Sequence, residues 1–229
     1  MSMASWQAMK KIIKHKESKK SHFVQNGVQV VIKDALPPEI NLRSILDKAF
    51  NTVPSMYLGY IDVVYVGKFF LLDKNDFGAV YDQGAIYLNN FQASEEDAVS
   101  HLVHEIAHAV EQNNSSFFYS DGEIEREFLS KRQKVHSLLS AEGISVPLFH
   151  FYNTEYSKQF DSLLYDEIGY PMLAMLTTNI FNSPYAMTSI NEYFANIFEV
   201  FYNKKDVNFV KNSSFAVYNK LIELEESSD

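Results

Sequence analysis

Between Ser100 and Val110 the chain reads SHLVHEIAHAV, and the two histidines at 104 and 108 narrow what that stretch can be. Positions i and i+4 of an α-helix lie ~40° apart around the axis and one turn along it, so a helix brings both imidazoles towards one point. The same geometry sets Glu105 beside that point, which is the spacing of a metal-binding pair with a carboxylate base between them. Leu102, Val103, Ile106, Ala107, Ala109 and Val110 are small or apolar, as a helix buried under a cleft requires. The alternative is a surface helix that happens to carry two histidines. Zinc takes imidazole nitrogen readily, and a catalytic site needs a third protein ligand and an open position.

Composition bounds the rest. The chain has 229 residues with 46% hydrophobic content, 18 Phe and 14 Tyr, enough for one domain with a sizeable core. Net charge is −9, although Lys10, Lys11, Lys14, Lys16, Lys19 and Lys20 crowd the first 22 residues, where Glu17 is the one acid. An acidic body argues against nucleic acid as a partner, because phosphate binding needs a basic surface. With no cysteine there are no disulfides, thiolate metal ligands or cysteine nucleophiles. Neither a signal peptide nor a transmembrane run is legible, so the expected location is the cytoplasm, or release by a non-classical route.

Residues 1–22 form a basic arm whose stretch 4–20 reads as a helix. It is either a docking or membrane-surface element or a solvated leader. Residues 23–229 read as one domain with lobes of about 23–112 and 113–229. A hairpin turns at Asn26-Gly27, and a helix follows Pro37-Pro38 to about Val53. Residues 60–72 suggest two strands broken near Gly67-Lys68, and 78–90 two more around Asp82-Gln83-Gly84. Ser94 with Glu95, Glu96 and Asp97 opens the helix of the histidines, expected to run to about Gln112. Further helices are expected near 121–141, 156–178, 188–203 and 214–226. Strands first and helices second give an α+β class: a small mixed sheet with the histidine helix, then a mostly helical lobe.

The third ligand is not fixed by the histidine spacing. Glu111 and His101 share the helix but lie ~10 Å along its axis from His104 and His108 respectively, so either would need a distorted helix. Glu192 stands near the start of a later apolar helix, in SPYAMTSINEYFANIFEVFY. It reads as a carboxylate pointing across to the first helix, or as a partner of its own helix dipole.

HEIAH followed by NEYFANIF resembles the zinc metallopeptidases of the anthrax lethal-factor type, including the small Pro-Pro endopeptidases. That family places its third ligand in a Glu-aromatic-Phe-Ala-x-x-Phe pattern, matched here by Glu192 to Phe198, and a tyrosine seven residues earlier, matched by Tyr185. The resemblance implies a zincin-like fold and one Zn²⁺ per chain held by His104, His108 and Glu192. It also implies Glu105 as general base and Tyr185 as donor to the developing oxyanion. Gly78, Ala79, Val80 and Tyr81 resemble the edge strand that zincins lay beside an extended protein or peptide substrate. Asn196 stands where the family has an acid, and its side-chain oxygen could accept a ligand imidazole N–H. Glu192 follows His108 by 84 residues, a longer gap than the family's, so 113–180 should contain added helices. The expected function is zinc-dependent endopeptidase, with two alternatives: a non-catalytic interaction or assembly protein on a zincin scaffold, or the catalytic domain of a toxin or effector.

Overall fold

The computed structural model describes residues 21–227; the basic helix expected at 4–20 lies outside the described residues. The class is α+β, with a five-stranded mixed sheet and a predominantly helical remainder.

The sheet is built from β1 (Ser21–Gln25), β2 (Val28–Ile32), β3 (Val63–Gly67), β4 (Ala79–Asp82) and β5 (Ala85–Asn89). Their order across the sheet is β1-β2-β3-β5-β4. The central pairs β2/β3 and β3/β5 are parallel, and the two edge hairpins are antiparallel. Both hairpins turn through left-handed pairs, Asn26 and Gly27 (φ 49° and 85°) and Gln83 and Gly84 (φ 48° and 82°). Such pairs match the right-handed twist of the flanking strands. Ser21 and His22 pair with Ile32 and Val31, so the boundary expected at residue 22 falls two residues late.

Alternation gives the sheet two faces. Val28, Val30, Val64, Val66, Ile86 and Leu88 are buried against helices in the main core. Tyr65 and Tyr87 stack on the other face, 5.4 Å apart, where Phe69, Leu72 and Ala85 complete a smaller core. That second core corrects one sequence reading. Residues after Gly67 do not form a strand: α2 (Phe70–Asn75) folds back so that Phe69 and Leu72 cover Tyr87. Gly67 allows the departure, since a Cβ there would meet the Asp34 carboxylate at 2.9 Å, and that carboxylate accepts from the Lys68 N–H.

On the main face lie α1 (Leu42–Thr52), capped by Asn41, and α3 (Glu95–Asn113), capped by Ser94. Beyond them come α4 (Ser115–Tyr119), α5 (Glu123–Ala141), α6 (Lys158–Ser162), α7 (Tyr170–Leu176), α8 (Ile190–Tyr202), α9 (Val207–Ser213) and α10 (Phe215–Glu226). The single helix expected at 156–178 is three pieces. A π-helical turn at Leu163–Ile168 follows α6, and Gly169 (φ 89°) with Pro171 restarts the chain as α7. α4 and α9 were not expected from sequence. The histidine helix α3 is the pivot: it packs on α1, on α8, and beneath β4 and β5.

Candidate metal centre

Among the side chains of α3 that line one cleft of about 1180 Å³ are His101, His104, Glu105 and His108. The 3.6-residue period puts them on one side of the helix, while Leu102, Val103, Ile106 and Ala107 are buried behind. Across the cleft α8 contributes Glu192 from its first turn. Ser189 fixes that turn, its hydroxyl accepting the Glu192 N–H at 3.1 Å.

The three ligand candidates converge. His104 Nε2 lies 3.0 Å from one Glu192 oxygen, and His108 Nε2 lies 3.7 Å from the other. The rings meet edge to face with centroids 4.9 Å apart. Among the described residues, His104, His108 and Glu192 form the group whose donor atoms all fall within 4.8 Å of one another. Two donors each about 2.0–2.1 Å from a tetrahedral zinc ion stand about 3.3 Å apart, so the observed spacings bracket what the ion requires. The chemistry of the set, two neutral nitrogens and one carboxylate with no thiolate, fits as well.

The outward ring nitrogens are also accounted for. His104 Nδ1 is 4.0 Å from Glu199, and His108 Nδ1 is 3.5 Å from Glu111. A carboxylate behind each imidazole favours the tautomer that turns Nε2 inwards. Glu111 is itself held by Asn191 Nδ2 at 2.8 Å and by the Tyr119 hydroxyl. So Glu111 supports His108 and is not part of the ligand group, and His101 is likewise outside it. Asn196 does not take the role expected for it. Its oxygen accepts from the Ser183 hydroxyl at 2.8 Å, while Glu199, one turn further along α8, stands 4.0 Å from His104 Nδ1, close enough for its charge to act on the ring but beyond direct hydrogen-bond reach. Position 199 follows 192 by two helical turns, so the periodicity held the signal, though the family pattern drew attention to 196.

Electrostatics favour a cation here. Burial opposes charge on His108, yet Glu111, Glu192 and Glu105 together push its pKa up to about 10. Burial would raise the Glu192 carboxyl, but the two imidazoles and the nearby Tyr185 hydroxyl outweigh it and leave it below the usual range. Glu105 behaves oppositely: burial dominates and raises its pKa.

The remaining expected residues surround this centre. Tyr185 lies in the short 3-10 turn Tyr185–Met187 before α8, lining the cleft beside Glu192. Glu105 Oε2 accepts the Tyr81 backbone N–H at 2.6 Å, which ties α3 to the edge strand. Gly78, Ala79, Val80 and Tyr81 line the same cleft. Gly78 C=O accepts from Asn89 N–H, so alternation turns the backbone of Gly78, Val80 and Asp82 towards β5 and that of Ala79 and Tyr81 outwards.

Sequence reasoning missed Arg132. It is wholly buried on α5, with no carboxylate partner among the described residues and its guanidinium between the rings of Phe128 and Phe160. It donates to Met187 O and Thr188 O, within the segment linking Tyr185 to Glu192, and to Asn153 O. In the charge-rich sequence of α5, only its helical phase with the buried Phe128, Val135 and Leu139 hinted at this.

No protein-family model matches the chain, and no curated protein or solved structure is significantly similar to it.

Proposed function

We propose that this chain is a zinc-dependent endopeptidase with a zincin-like site. The observation that carries the reading is the convergence of two imidazole Nε2 atoms, one helical turn apart, on a carboxylate from a second helix, with a further carboxylate behind each ring. His104, His108 and Glu192 would hold the ion. Zinc bound there would polarise a carbonyl oxygen and lower the pKa of a water molecule towards neutrality.

The chain's own groups supply the rest. Glu105 has one oxygen fixed by the Tyr81 N–H, and its other oxygen takes the proton of the attacking water. The same carboxyl returns that proton to the amine as the C–N bond breaks. Its burial, which favours the protonated form, suits a group that must carry a proton between two steps. Tyr185 donates its hydroxyl hydrogen to the carbonyl oxygen as that atom gains negative charge. The outward N–H and C=O of Ala79 and the outward C=O of Tyr81 can pair with an extended peptide as an added strand, which favours a protein or peptide substrate.

Glu105→Ala tests the reading. The variant should still bind zinc, because Glu105 is outside the ligand group, and should lose peptide cleavage by several orders of magnitude. Cleavage at the wild-type rate by the zinc-loaded variant would sink the proposal.

A further inference from the structure

The cleft floor holds one histidine that the proposed chemistry does not use. His101 precedes His104 by one turn of α3, and its Nδ1 lies 2.8 Å from Gln92 Oε1. Gln92 is buried, and its amide nitrogen donates to Gly78 O and Asn89 O, both at 2.9 Å. Two carbonyl acceptors on that side fix the amide orientation, so the atom facing His101 is an acceptor. The His101 ring must therefore carry its proton on Nδ1, and in the neutral ring Nε2 holds a lone pair.

Nε2 makes no hydrogen bond among the described residues, yet it is not among their buried unpartnered polar atoms. Since His101 lines the cleft, that atom opens into it. The ring is pressed onto the start of the edge strand: a Cβ on Gly78 would fall 2.2 Å from Cε1 and Nδ1 and 2.7 Å from Nε2. Glycine at 78 thus admits the ring, and Gln92 locks both the ring and the Gly78 carbonyl.

We propose that His101 is a specificity residue: its Nε2 accepts a hydrogen bond from a substrate side chain bearing an O–H or N–H donor, held along β4 at the level of Gly78. Gly78 is three residues before Tyr81, whose N–H marks the position of Glu105, and a strand advances ~3.3 Å per residue. The selected side chain therefore lies ~10 Å, about three residues, from the cleaved bond. The inference rests on the endopeptidase reading.

Two measurements test it. In the first, the zinc-loaded full chain and its His101→Phe variant are given a randomised peptide library, and the cleavage sites are sequenced. The wild type should favour Ser, Thr, Asn or Gln over Ala and Val about two- to tenfold at a single position some three residues from the cut, the range one neutral hydrogen bond supplies. The ratio should fall to about one in His101→Phe, with each enzyme serving as its own reference. Wild-type cleavage without such a preference, or a preference that survives in the variant, overturns this inference alone. No cleavage of any peptide by the zinc-loaded wild type overturns it together with the endopeptidase reading. The second measurement is ring ¹⁵N NMR of the wild type, which needs neither substrate nor a folded variant. An Nδ1–H tautomer for His101 is expected, and an Nε2–H tautomer would overturn the proposal.

Discussion

His104 and His108 sit on one helix, but each leans on a carboxylate from a different place. For His108 the support is Glu111 on the same helix; for His104 it is Glu199 on α8. Removing such a partner typically costs 10–100-fold in metal affinity. Glu199→Gln should therefore weaken zinc binding by about that factor in a chelator competition, whereas Asn196→Ala should leave it within about twofold. The reverse ranking would restore the role expected of Asn196 from the family pattern. Tyr185→Phe should keep zinc affinity and lower kcat by ~10²–10³, because the hydroxyl acts on charge that develops only during reaction. A rise in KM alone, with kcat intact, would remove Tyr185 from the chemistry. At this scale spacing pointed to His104, Glu105 and His108, and the family resemblance to Glu192 and Tyr185, all of which line the cleft; neither singled out Glu199 or Tyr156, which line it too. The sequence did not show what stands behind them. Hydrogen bonds such as Ser183 to Asn196 and Gln92 to His101 join residues 13 and 9 positions apart, with no periodicity to announce them.

Elements were legible where local chemistry alone decides them. Asn26-Gly27 and Gln83-Gly84 can turn only one way, and the Ser94 cap begins α3 where the pattern says it should. The stretch after Gly67 misled because its apolar, aromatic run KFFLL continues a β-branched strand and itself fits one. Tertiary packing wins there, with Phe69 and Leu72 buried in one cluster with Tyr87. The break at Gly169 was missed because helical periodicity runs through it. The entry to α8 depends on a clamp from another element, Arg132 of α5, which holds the carbonyls of Met187 and Thr188. Arg132→Ala leaves buried carbonyls without donors and opens a void between Phe128 and Phe160. A loss of ~3–5 kcal/mol is expected from urea unfolding of the zinc-free protein. A loss below ~1 kcal/mol would show that the clamp contributes little.

At the scale of the whole molecule, the site is where two parts of the chain meet: the sheet with α3 on one side, α8 and its entry turn on the other. Glu105, Glu111, Glu192 and Glu199 crowd around two imidazoles in that seam. Four carboxylates at such range repel one another, and a divalent cation between them relieves it. Zinc should thus act as a bridge between the two parts. At a hundredfold excess over its Kd it should add ~2.7 kcal/mol and raise Tm by roughly 5–10 °C, an increase reversed by chelator. Among the described residues no helix is long and apolar enough to cross a membrane. The measurement that tests the account most directly is zinc binding by equilibrium dialysis, comparing the wild type with Glu192→Ala. Because α3 alone cannot complete a tetrahedron, the wild type should hold about one ion per chain, and Glu192→Ala should bind at least ~100-fold more weakly. A wild-type protein that retains no zinc, or a Glu192→Ala variant that binds it equally well, would contradict the account.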